Sequence, residues 1–205
     1  MALVILFRKQ FRYEPLAYLL TLCMVSFFKE VLTNIGMATI DTANIIANVY
    51  FILKFIIIML LYRSAVKESR AADVLTVFLV AFSSILITYL VITGAAYNVW
   101  IHAVQSSILL IASLIAFYFL LRDHSIQIFQ SPLFWVGCGV FFFNFQFLII
   151  EVCGTVWMDM AGRNLEHKWI LMIVTTVVEY LFFLAATLVY SEGPKDDKLI
   201  KWRVL

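Results

Sequence analysis

Six stretches of the chain, 15–36, 45–62, 73–93, 101–121, 133–153 and 169–190, are each almost free of charge and strongly apolar. Each has roughly the 17–25 residues that a helix needs to cross a bilayer. In hydrocarbon every backbone N–H and C=O needs a partner, and a helix supplies all of them within one segment. The connections between the stretches are short and polar, which leaves no room for an inserted soluble domain. The residues are 64% hydrophobic and 14% charged, whereas soluble domains carry about 45–50% apolar and about 25% charged residues. No water-soluble core hides that much apolar surface. The expected fold is therefore all-α: an integral membrane bundle of six transmembrane helices over residues 1–190, then a short basic tail at 191–205.

Lysine and arginine placement sets an expected orientation. Arg8, Lys9 and Arg12 precede the first span; Arg63, Lys67 and Arg70 lie between the second and third; Arg122 follows the fourth; Lys195, Lys198, Lys201 and Arg203 lie in the tail. The opposite side holds Arg163 and Lys168 alone, and Lys29 and Lys54 fall within spans. Both termini are thus expected in the cytoplasm, with the chain in a plasma (inner) membrane. Trp100, Trp135, Trp157, Trp169 and Trp202, with Tyr62, Tyr97 and Tyr190, fall at or just beyond span edges, where amphipathic rings prefer to sit. Pro15 and Pro132 open helices and Pro194 lies beyond the last one, as a ring without an N–H requires. "MALVILF" at the start is too short to span. Its basic residues follow the apolar run, unlike those of a signal peptide. It is expected either to lie along the interface or to end a seventh helix.

Ionisable groups at membrane depth cost roughly 2.5–3.5 kcal/mol each on insertion scales and are functional candidates by default. Lys54, in "YFILKFIIIML", and Glu179, in "TTVVEYLFF", each sit near mid-span in helices that run the same way across the membrane. They are expected to form an intramembrane ion pair, which either fixes helix register or takes part in a switch. A second group gathers toward the outer leaflet: Lys29 and Glu30 in the first span; His102, Gln105 and Ser106 opening the fourth; Asn144 and Glu151 two turns apart in the fifth. The loop before the sixth span adds Asp159, Arg163, Glu166 and His167. Glu30, His102, Gln105, Asn144, Glu151 and His167 are the expected lining of an outward-facing polar pocket walled by Phe141, Phe145 and Trp157.

Neither His102 nor His167 sits in a spaced ligand motif, so no metal or haem is expected. Cys23, Cys138 and Cys153 lie in apolar runs and read as small hydrophobic residues. Thr76, Ser83, Ser84 and Thr88 are expected to form a small hydroxyl-bearing face of the third span, and with Gly137 and Gly139 in the fifth they suggest close helix packing. No HExxH, GxSxG or phosphate-binding glycine loop appears, so neither catalysis nor a cofactor is expected. A net charge of +2 offers nothing to nucleic acid. The expected partners are the bilayer and a signalling protein.

The segments "IIANVYFILKFIIIMLLY", "SPLFWVGCGVFFFNFQFLI" and "HKWILMIVTTVVEYLFFLAATL" carry a proline–aromatic–Trp opening to the fifth helix and a Trp opening to the sixth. Over residues 45–190 this pattern resembles small bacterial multi-span proteins that are similar to the membrane sensor half of histidine kinases, detached from the kinase. Lys54 stands where that group carries an acidic residue, and the group often has a further N-terminal span. The resemblance implies sensing or scaffolding through a cytoplasmic partner, with "LIKWRVL" in the tail as the contact. Anchoring of that tail to anionic lipid is the other reading. A small secondary transporter is the alternative function.

Overall fold

The structure, a computed structural model, describes residues 14–34, 40–66, 70–93, 98–122, 128–153 and 165–191. Among them there is no strand, and six α-helices follow one another: α1 (Glu14–Asn34), α2 (Ile40–Ala65), α3 (Arg70–Thr93), α4 (Val99–Arg122), α5 (Pro132–Leu148) and α6 (Leu165–Ser191). A short 3-10 turn, Ile128–Gln130, precedes α5, and a π-turn, Ile149–Cys153, extends it. Each helix holds a segment long and apolar enough to cross a membrane: Pro15–Thr33, Thr42–Ser64, Arg70–Thr93, Val99–Arg122, Pro132–Glu151 and Ile170–Tyr190. The six apolar stretches of the sequence are thus six helices. The N-terminal "MALVILF" and nearly all of the basic tail lie outside the described residues.

The chain divides into two compact units, one holding α1–α3 and the other α4–α6. In the first, α2 packs against both α1 and α3. Phe55 of α2 meets Phe82 of α3 edge-on, with centroids 5.3 Å apart. Toward the other side, the Ser26 hydroxyl of α1 lies 3.2 Å from the Tyr50 hydroxyl of α2. Tyr62, expected as an interfacial ring, is at the end of its span but wholly buried within the protein. The sequence locates the height of a ring along its helix, not the side on which it faces.

α3 corrects a second expectation. Its hydroxyl residues do not share one face: Ser83 is buried, whereas Ser84 and Thr88 are exposed. Ser83 and Ser84 are consecutive and so stand about 100° apart on a helix. Thr76, seven residues before Ser83, keeps to the inner stripe and is half-buried. Ser84 donates instead to the Val80 carbonyl of its own helix at 2.8 Å. Thr21, Ser26, Ser113, Thr175 and Thr176 do likewise to the carbonyl four residues back. A hydroxyl that turns back on its own helix needs no second helix as a partner.

In the second unit α5 lies against both α4 and α6. Its start is set locally. Ser131 is extended, Pro132 takes the first helical position where a missing N–H costs nothing, and the Trp135 indole donates to the Phe129 carbonyl at 2.8 Å. One turn into α5 come two glycines with separate duties. A Cβ on Gly137 would meet the Phe117 ring of α4 at 2.8 Å. One on Gly139 would meet Phe182 Cβ and the Phe183 ring of α6 at 3.0 Å, and the Glu179 carbonyl at 3.2 Å. Gly137 therefore faces α4 and Gly139 faces α6.

Candidate functional site

The Phe117–Gly137 contact fixes the register of the antiparallel pair α4 and α5. Fifteen residues back from Phe117 is His102; fifteen on from Gly137 is Val152, beside Glu151. His102 and Glu151 therefore stand at almost the same height, and α4 packs directly on the π-turn that carries Glu151. Asn144 lies seven residues after Gly137, two turns along the stripe facing α4. Gln105 follows His102 by one turn, and its side chain interacts with the imidazole. His102, Gln105, Asn144 and Glu151 are between 2% and 6% exposed. Ser106, also buried, completes the group.

Of the six residues expected to line a polar pocket, His102, Gln105, Asn144 and Glu151 are buried in the second unit; His102 and Gln105 lie near the height of the π-turn, and Asn144 stands about two turns further into the span. Asn144 is tied to its own helix, its amide nitrogen donating to the Val140 carbonyl at 2.7 Å. Flanking Asn144 along α5, Phe141 and Phe145 stack with nearly parallel rings, centroids 6.2 Å apart, and Phe145 is exposed. Glu30 belongs to the first unit. It is largely exposed and holds Lys29 in an ion pair of 2.7 Å, while the Lys29 ammonium also sits 5.6 Å above the Tyr50 ring. Its surroundings are those of a surface charge rather than of a buried pocket wall. The backbone of His167 is in the first turn of α6, and the π-turn packs on α6. The side chains of Glu166, His167 and Trp169, and all of Trp157, Asp159 and Arg163, lie outside what is described.

Lys54 and Glu179 are each buried at the middle of a membrane-length helix, 3% and 2% exposed. One lies in the first unit and the other in the second. The Glu179 main-chain carbonyl lies close against Gly139, 3.2 Å from where a Cβ would stand there.

The π-turn is the feature that sequence reasoning missed. Such turns leave one residue in excess of the α repeat and occur often at functional positions. The residues "LIIEVC" offer no glycine or proline to announce one; the only hint is a carboxylate close to the end of an otherwise apolar span. Among the described residues no three His, Cys, Asp or Glu side chains are placed to hold a metal ion.

Six membrane-length helices with buried charged and amide groups define the class, a multi-pass helical membrane protein. Comparison with protein-family models, with curated proteins and with solved structures finds no match.

Proposed function

We propose that the protein is a non-enzymatic membrane module, a sensor or assembly subunit, which acts through a partner protein at the cytoplasmic face of a plasma membrane. One observation supports the reading: the second unit buries His102, Gln105, Ser106, Asn144 and Glu151, the last of them in a π-turn. Buried amides and carboxylates are costly in an apolar surrounding and are retained where they do something. The distribution of lysine and arginine supports a topology with the π-turn end of that unit outside and both termini inside. A membrane-impermeant thiol reagent applied from outside is then expected to label a cysteine placed at Asp159 and to spare one placed at Lys198, the native cysteines having been replaced. The opposite pattern overturns the orientation.

The partner is tested by purifying the full chain in mild detergent from its native host and identifying what accompanies it. A kinase or response regulator retained by the wild type and lost when residues 192–205 are deleted supports the reading. The second reading, a small secondary transporter, draws on the same π-turn, since irregular backbone within spans is a habit of transporters. Solute movement by the isolated protein in liposomes favours it over the first.

A further inference from the structure

We propose that Lys29 and Glu30, near the end of α1, form a docking site for a zwitterionic phospholipid whose headgroup carries a primary ammonium. The site lies in the first unit and rests on neither functional reading.

The position of the pair sets the problem. Lys29 and Glu30 stand four and three residues before the end of the span Pro15–Thr33, roughly 5–6 Å of helix inside the apolar layer. Their side chains are nonetheless 31% and 61% exposed, so what they meet at that height is lipid and not bulk water. Charges facing hydrocarbon are costly, and a bilayer relieves the cost by thinning locally and bringing polar atoms to them. The face below is apolar. Phe27, one turn before Glu30 and 63% exposed, meets Phe28 edge-on with centroids 6.1 Å apart, and Met24 and Leu32 are exposed as well. Acyl chains fit that face.

The ammonium is also held in place. Lys29 donates to Glu30 at 2.7 Å and sits 5.6 Å from the centroid of the Tyr50 ring of α2. That ring is tied back to α1, its hydroxyl 3.2 Å from the Ser26 hydroxyl. A cation fixed against a carboxylate and over a ring has less freedom left to lose on binding. An ammonium has three N–H donors, and a carboxylate accepts at both oxygens. A headgroup laid head to tail across the pair puts its phosphate on Lys29 and its own ammonium on Glu30. Charge complementarity selects a zwitterion over an anionic lipid, which has no cation to offer Glu30. Hydrogen bonding selects a primary ammonium over a trimethylammonium, which has no N–H to donate.

Native mass spectrometry of the full-length protein provides the test. The protein, purified in mild detergent, is offered equal amounts of phosphatidylethanolamine and phosphatidylcholine with identical acyl chains, and the lipid-bearing ions are counted. The ethanolamine lipid is expected to exceed the choline lipid about tenfold, as one hydrogen bond to a charged group supplies. Glu30→Gln is expected to remove that preference. Lys29→Gln is expected to lower retention of both lipids, because both carry the phosphate. Neither side chain is buried, so neither change opens a core. Should either variant fail to fold, the wild type offered the mono-, di- and trimethylated ethanolamine lipids replaces it, and retention that falls as N–H donors are lost supports the site. Equal retention of the two lipids by the wild type overturns the proposal, as does a preference that survives Glu30→Gln. A preference for phosphatidylglycerol over both overturns it too, by reducing the site to a lone cation. So does a second copy of the chain on this face in place of lipid, seen as a dimer that Glu30→Gln dissociates. None of these outcomes bears on the partner reading, which tail deletion and co-purification test separately.

Discussion

Reversing both central charges together, Lys54→Glu with Glu179→Lys, is expected to restore the folded protein that either reversal alone destroys. Each single reversal puts two like charges, or one uncompensated charge, at mid-membrane. Breaking a buried pair from one side typically costs about 3–5 kcal/mol, which lowers the folding equilibrium constant by more than about a hundredfold and removes a large share of a typical protein's stability. The pairing is a proposal supported by three facts. The charges are opposite, each side chain is almost wholly buried, and each stands nine to twelve residues into its span, Thr42–Ser64 and Ile170–Tyr190. The measurement is the monodisperse fraction by size exclusion in mild detergent for the wild type, both singles and the double. If the double is no better than the worse single, the two residues do not pair, and Lys54 is held by other groups.

The sequence alone yields the helices but little of the directions in which they face. Six apolar runs near 20 residues leave one solution in hydrocarbon, and α1 to α6 follow it closely because the constraint is local to each segment. Direction is another matter. In lipid both sides of a helix are apolar, so periodicity that reveals the buried face of a soluble helix is weak here. The α3 hydroxyls illustrate this: Ser83 and Ser84 are adjacent in sequence yet one is buried and one exposed. The buried polar residues of the second unit were legible as candidates, since His102, Gln105, Asn144 and Glu151 are unusual in apolar runs. Glu30 is as unusual in its apolar run, yet it belongs to the first unit, is largely exposed and is paired with Lys29. The π-turn is not announced by its residues, since Ile149–Cys153 holds no glycine or proline at which an irregular turn would be expected.

Gly139→Leu is expected to break the second unit, whereas Gly137→Ala is tolerated, although the two glycines are only two residues apart. The difference lies in what each would strike. Beyond Gly137 stands the edge of the Phe117 ring, the end of a side chain that can turn aside, so one added methyl costs no more than about 1.5 kcal/mol. Beyond Gly139 stand Phe182 Cβ and the Glu179 carbonyl, parts of a helix that can yield only by moving as a whole. Alanine there costs about 1–3 kcal/mol as overpacking, and the four carbons of leucine drive α5 and α6 apart. Separation removes the close contact between Gly139 and the Glu179 main chain, so the packing around a buried carboxylate is lost as well. Thermal unfolding in detergent, followed by exposure of the half-buried Cys138 thiol to a fluorogenic maleimide, ranks the variants: wild type and Gly137→Ala close together, Gly139→Ala lower by several degrees, Gly139→Leu unfolded or aggregated. Equal losses at the two positions would mean that α5 packs on α4 as rigidly as it does on α6, and that Glu179 owes its place to something other than that contact.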